Sequence, residues 1–102
     1  NKPTAEERDA CRPWLEQELD LLPRVQVVVT LGGFAFALML KVLADRGVEV
    51  PAPRPRFGHG IEVVTGGPVV LGSYHPSQQN TFTGRLTEPM FDAVFAAARR
   101  RL

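Results

Sequence analysis

A single cysteine, Cys11, stands in 102 residues, so no disulfide can close within the chain and a packed core has to hold the fold. No apolar run reaches the roughly 18 residues that a membrane span requires. The basic-then-apolar layout of a secretory signal is missing as well. Charge of one sign is not in excess, since 12 Lys+Arg face 11 Asp+Glu and leave a formal +1. That balance excludes an acidic tail and a strongly basic nucleic-acid arm, and a hydrophobic share of 44% excludes a disordered chain.

What is present reads as one globular domain or less. The first residue is Asn1 rather than Met, and Asn1-Lys2-Pro3 reads as the middle of a longer sequence. Residues 1–50 carry six basic and eight acidic side chains, while residues 51–102 carry six basic and three acidic. If either half faces a polyanion it is the second, although so small an excess is a weak pointer.

Thr4 followed by Glu7 has the spacing of a capping box. Pro13 then predicts a short first helix, a break at Cys11-Arg12, and a second helix with the proline in its first turn. Trp14, Leu15, Leu19 and Leu22 would share one face of that helix. The β-branched run Val25 to Leu31 has almost no polar alternation, which predicts a strand covered on both faces in a parallel sheet. Gly32-Gly33 turns the chain into a helix expected over Phe34 to Arg46, with Gly47 just past its end. The prolines of Val50 to Arg56 mark a connector. Ile61 to Thr65, Gly66-Gly67 and Pro68 to Tyr74 read as a hairpin or a pair of short strands. A last helix is expected from about Thr87 to Arg101, with Met90, Phe91, Val94, Phe95 and Ala98 facing inward. Strands and helices in alternation give an α/β fold with a parallel sheet. Doubly buried strands need more neighbours and more covering helices than this chain holds, so the expectation is half of a domain.

The chemistry concentrates in Tyr74-His75-Pro76-Ser77-Gln78-Gln79-Asn80-Thr81-Phe82-Thr83-Gly84-Arg85-Leu86-Thr87. This polar stretch leaves the carboxyl end of an expected strand, which is where open α/β sheets place ligands. Long polar loops are functional more often than short connections are. An ordinary surface loop with a strand-capping histidine is the competing account.

That stretch resembles the second active-site motif of the uracil-DNA glycosylase superfamily, in which His-Pro-Ser precedes a DNA-inserting loop. With Gln78-Gln79-Asn80-Thr81 and Thr83-Gly84-Arg85-Leu86-Thr87 it is most similar to the iron–sulfur type B, or family 5, enzymes. Asn1-Lys2-Pro3-Thr4 with Glu6, Glu7, Arg8 and Cys11 resembles the family's segment after its third cluster cysteine, and Val27 to Ala35 its next strand–turn–helix. The resemblance implies a three-layer α/β/α sandwich with a central parallel sheet, of which this chain is the C-terminal half. It also implies a monomeric, cytoplasmic, nucleoid-associated enzyme with no membrane partner. Such an enzyme flips uracil or another deaminated base out of DNA, because the glycosidic bond is unreachable inside the stack, and hydrolyses that bond to leave an abasic site.

Under the resemblance, His75 donates a hydrogen bond to O2 of the departing uracil, and a donor aimed at developing charge is typically worth about 3–4 kcal/mol. Ser77 and the backbone after Pro76 grip phosphates beside the flipped nucleotide. Gln78 and Gln79 occupy the tip, where related enzymes plug the vacated stack. Asn80, Thr81, Thr83 and Arg85 read as loop stabilisers or phosphate contacts, and holding the loop's own backbone serves equally well for each. Asn1 falls where the family carries an active-site asparagine. Cys11 matches the fourth ligand of a [4Fe–4S] cluster whose other three thiolates lie upstream, and a helix start at Pro13 beside it would favour a thiolate. A lone cysteine is otherwise most often a small buried hydrophobe. The first motif, with the water-activating acid, also lies upstream, so the resemblance implies that this chain alone is inactive.

Weaker candidates remain. Gly32-Gly33 serves as an anion nest or as a tight turn. His59, with Arg54 and Arg56, approaches DNA backbone or belongs to a solvated connector. Arg99-Arg100-Arg101 suits a helix C-terminus. Two other accounts of the whole chain stay open: a nucleic-acid-binding module without chemistry, whose binding would be salt-sensitive and indifferent to uracil, and a structural α/β remnant.

Overall fold

The computed structural model describes residues 5–22, 24–76, 84 and 86–102. Helix α1 spans Ala5–Leu21, strand β1 Val27–Leu31, helix α2 Gly32–Asp45, strand β2 Glu62–Val63, strand β3 Val69–Ser73 and helix α3 Glu88–Arg100. Thr4 of the expected capping box lies outside the described residues.

Helix α1 is continuous through Pro13, so the expected break at Cys11-Arg12 does not occur. The proline ring removes the N–H that would bond the Asp9 carbonyl. Asp9 and Pro13 are both exposed, so solvent can satisfy that carbonyl and the helix carries on. Cys11 therefore sits in mid-helix rather than beside a helix start, and the argument for a dipole-favoured thiolate there falls away. The inward face is also narrower than expected. Leu15 and Leu19 pack against the core, whereas Trp14 is 71% exposed and Leu22 57%.

The sheet has the order β1-β3-β2. β1 and β3 run parallel, with Val27 opposite Val69 and Leu31 opposite Ser73. β2 pairs antiparallel with β3, so the sheet is mixed rather than wholly parallel. A short hairpin can only return antiparallel, and Thr65 braces this one: its Oγ1 donates to the Pro68 carbonyl at 2.7 Å and accepts from Gly67 N–H at 2.9 Å. The middle strand, β3, is the one buried on both sides. β1 is only half-buried over its three valines, contrary to the reading of its apolar run.

The strand period of two sends neighbouring residues to opposite faces. Val28 and Val70 join Phe36, Met39, Leu40 and Leu43 of α2 in the larger cluster. Val27, Val29, Val69 and Leu71 pack with Val94 and Ala97 of α3. Helix α3 starts where expected, with Thr87 Oγ1 accepting from Met90 N–H. Its inner face differs from the expectation: Ala97 is buried and Phe95 is 47% exposed, its ring standing edge-on to Phe91 with centroids 5.0 Å apart.

Between α2 and β2 the Pro-rich connector brings Phe57 to Ile61 alongside the upper part of β3. Gly60 N–H bonds the Gly72 carbonyl at 2.8 Å, and Gly72 N–H bonds the Ile61 carbonyl at 3.0 Å. The approach is so close that a Cβ on Gly72 would stand 2.9 Å from Ile61 Cγ2 and 3.2 Å from the Gly58 carbonyl oxygen.

Arg12 ties the helices together, bonding Asp45 at 2.9 Å and Glu16 at 3.5 Å. The hydrogen bond from Arg12 holds the Asp45 carboxyl below its ordinary value of 3.8.

Denaturation of the full-length protein tests three substitutions. Leu40→Ala is expected to cost about 2–5 kcal/mol, because a buried leucine loses both its transfer free energy and its neighbours' contacts. Gly72→Ala is expected to cost about 1–3 kcal/mol through overpacking. Asp45→Asn is expected to be destabilising above pH 3.8, with the difference vanishing as pH falls through the lower folded value, since a depressed carboxyl contributes only while it is ionised.

Candidate functional site

β1 and β3 are in parallel register and stop level with one another, so the two segments of chain that leave them emerge at the same edge of the sheet. After β1 the chain passes directly into α2 at Gly32, whose φ of +88° is a backbone conformation open mainly to glycine. After β3 come Tyr74, half-buried, and then His75 and Pro76, both exposed. A Cβ on Gly32 would lie 3.7 Å from the His75 Cβ. His75 therefore stands beside the amino end of α2, at the carboxyl edge of the parallel pair. This is where open α/β sheets receive ligands. An exposed imidazole there presents a ring that can donate to, or accept from, a polar group arriving at that edge.

Aromatic rings back this edge. Phe57 lies against Gly33, where a Cβ would meet its ring at 3.5 Å. Its centroid is 5.7 Å from that of Phe36 and 6.2 Å from that of Tyr74. Tyr74 in turn lies 4.9 Å from the His59 ring at an interplanar angle of 30°. Gly32-Gly33 thus works as a tight strand-to-helix turn whose second residue also admits the Phe57 ring.

His59 does not sit in a solvated connector, contrary to one of the two expectations from its sequence. It is half-buried, with Nδ1 accepting Tyr74 N–H and Nε2 facing the Met90 carbonyl oxygen, both at 3.0 Å. Its sequence surroundings, Gly58 and Gly60 just before a strand, hint at close approach. Nothing local points to partners 15 and 31 residues away.

Of the other sequence candidates, Asn1, Ser77, Gln78, Gln79, Asn80, Thr81 and Arg85 lie outside the described residues, as does Thr83. Cys11 is exposed and not in a disulfide. Among the described residues no group of three His, Cys, Asp or Glu is placed to hold a metal ion; Cys11, the one cysteine in the sequence, is the one thiolate the chain can offer to a cluster. Arg54 and Arg56 are exposed. Arg99 and Arg100 occupy the last turn of α3, and Arg101 Nε donates to Glu62 Oε1 at 3.0 Å, tying that helix to β2. No helix among the described residues is long and apolar enough to cross a membrane.

Comparison with known proteins bears on this arrangement directly. The family model of the uracil DNA glycosylase superfamily matches residues 1–99. A type-5 uracil-DNA glycosylase of Mycobacterium bovis is 46% identical over 102 residues, covering 98% of this chain and 37% of the relative. The protein of the same name from Thermus thermophilus is 46% identical over 101 residues, covering 98% of this chain and 44% of the relative. A third, from Pyrobaculum aerophilum, is 44% identical over 87 residues, which is 85% of this chain and 35% of that protein. The chain thus spans roughly two-fifths of the length of the relatives it matches. With a match running from its first residue almost to its last, the chain belongs to the uracil-DNA glycosylase superfamily.

Proposed function

We infer that this chain is the C-terminal portion of a single uracil-DNA glycosylase domain, an enzyme that hydrolyses the N-glycosidic bond of a flipped-out uracil, or another deaminated base, in DNA. The observation that carries this reading is the position of His75: exposed, at the carboxyl edge of the parallel pair, beside the amino end of α2, and within His75-Pro76-Ser77. The coverage of the relatives supports the view that the rest of the domain is supplied by upstream chain. With that portion in place, the sheet here continues into the central sheet of a three-layer α/β/α sandwich, parallel apart from β2.

In the reaction the bond between the sugar C1′ and the base breaks, water adds to C1′, and the base leaves with negative charge on its O2. His75 donates a hydrogen bond to that oxygen. The bond strengthens as charge develops, so it lowers the barrier more than it tightens substrate binding. Pro76 and Ser77 grip the phosphates beside the flipped nucleotide, aided by Asn80, Thr81 and Arg85. Gln78 and Gln79 fill the vacated stack, and Asn1 serves as the active-site asparagine that the family carries. The water-activating acid comes from the upstream portion, so the 102 residues alone are inactive. The enzyme works as a monomer in the cytoplasm, on nucleoid DNA.

Cys11, exposed on α1, suits one corner of a [4Fe–4S] cluster whose other three thiolates come from upstream. Ligation through Cys11 would tie α1 to that upstream segment.

The test uses the full-length protein, wild type and His75→Ala, on a duplex with one uracil, with alkali to reveal abasic sites. Cutting by the wild type and a loss on the order of a hundredfold or more in the variant is the expected result. Equal cutting by both would remove His75 from the chemistry. Absence of cutting on any deaminated base, with salt-sensitive DNA binding retained, would replace the enzyme with a binding module.

A further inference from the structure

His59 bonds to two segments distant in sequence, and the two flank the stretch that carries His75. Its Nδ1 accepts the N–H of Tyr74, the residue immediately before His75. Its Nε2 lies at the same 3.0 Å from the carbonyl oxygen of Met90, in the first turn of α3. A ring nitrogen accepts from an N–H only when it carries no proton, and it bonds a carbonyl only when it carries one. The two bonds therefore select one neutral tautomer, with the proton on Nε2. The Tyr74 ring lies beside the imidazole, its centroid 4.9 Å away and tilted by 30°.

The sheet ladder does not do this job. β3 ends at Ser73, opposite Leu31, so the backbone that presents His75 has already left the sheet. The N–H of Tyr74 is held by a side chain instead. That side chain is itself anchored: Gly58 and Gly60 flank it, and Gly60 N–H bonds Gly72 of β3 at 2.8 Å. The absence of a Cβ at Gly72 is what lets this segment lie so close. The chain of contacts thus runs from β3 to the Gly58–Gly60 turn, through the imidazole, and on to both Tyr74 and α3.

From this arrangement we propose that His59 is a positioning residue for His75, fixing the backbone before it against the first turn of α3 through one neutral imidazole. The proposal rests on the reading of His75 as the hydrogen-bond donor to the departing base. A donor of that kind acts at about 2.7–3.1 Å from the oxygen that gains charge, and a misplacement of about 1 Å can cost on the order of a hundredfold in rate. The partners of His59 are Tyr74 and Met90, and in this proposal its effect on the reaction passes through His75.

The test is a double-mutant cycle in the full-length protein, read by single-turnover excision of uracil, with duplex affinity measured on an abasic product. His59→Phe keeps a ring beside Tyr74 and removes both hydrogen bonds. His59→Asn keeps an acceptor near the place of Nδ1. The expected result is a rate loss of about ten- to hundredfold for His59→Phe with affinity changed less than twofold, and partial recovery in His59→Asn. In the His75→Ala background His59→Phe should cost nothing further, because its effect has no other route. A wild-type rate in His59→Phe, or losses that multiply in the double variant, would overturn the proposal.

Two readouts stand apart from activity. Nitrogen-15 spectra of the wild type are expected to show His59 protonated on Nε2 alone. In the variants, hydrogen exchange should quicken at the Tyr74 amide while the amides of α2 stay protected, His59→Asn falling between wild type and His59→Phe. A proton on Nδ1, or an unchanged Tyr74 amide, would also overturn the clamp. Should the wild type fail to excise uracil, the reading of the reaction fails, and these two readouts still decide what His59 holds. If His59→Phe does not fold, His59→Asn answers the same questions.

Discussion

The parallel pairing of β1 with β3 is the constraint on which the rest depends. Because Leu31 lies opposite Ser73, the two strands end together and hand their continuations to one edge of the sheet. One continuation is the helix start at Gly32, the other is Tyr74-His75. Slipping the register by one residue would exchange the faces of every valine in β1. Val28 would leave the α2 cluster, and Val27 and Val29 would leave α3. The same shift would move the helix start away from His75. Core and site are thus specified by one register. Thr30 reinforces it from within the sheet, its buried hydroxyl donating to the Leu71 carbonyl at 2.8 Å.

A second layer of control comes from side chains that replace backbone pairing where the sheet stops. Thr65 closes the hairpin, Thr87 caps α3, and His59 holds the exit of β3 to that cap's helix. Phe57 lies over Gly33 and Gly72 and packs against the α2 cluster beneath the site. By contrast, the charged network of Arg12, Glu16, Lys41 and Asp45 lies at the other end of α2, about 20 Å along a 14-residue helix. It joins α1 to α2 and has no hand in the site.

Much of this was legible in the sequence because its signals are local. Gly32-Gly33, Gly47, the prolines from 51 to 55, Gly66-Gly67 and Thr87 each act on their own turn of chain, and each marks a boundary close to where the structure has it. The sequence also places Tyr74 and His75 just after a strand, where the structure has them. What escaped depends on packing between distant segments. Pro13 reads as a break, yet Asp9, whose carbonyl loses its partner, is exposed and the helix runs on. The valine run of β1 reads as doubly buried, but burial on both sides went to β3, which has a neighbour on each edge. Phe95 and Ala97 exchange roles on α3 because the shallow floor under that helix, Val27, Val29 and Leu71, accepts a small residue. His59 reads as a connector residue because nothing in a sequence shows that Tyr74 and Met90 converge on one imidazole.

The central claim is geometric: the carboxyl edge of the β1–β3 pair delivers His75 to the leaving base. The most direct measurement is a crystal structure of the full-length protein bound to a duplex with a flipped uracil in the pocket. The account predicts a ring nitrogen of His75 within hydrogen-bonding distance of uracil O2, about 2.7–3.2 Å, with Tyr74 still bonded to His59. A uracil seated elsewhere, or His75 turned away from it and bonded only to protein, would contradict the account.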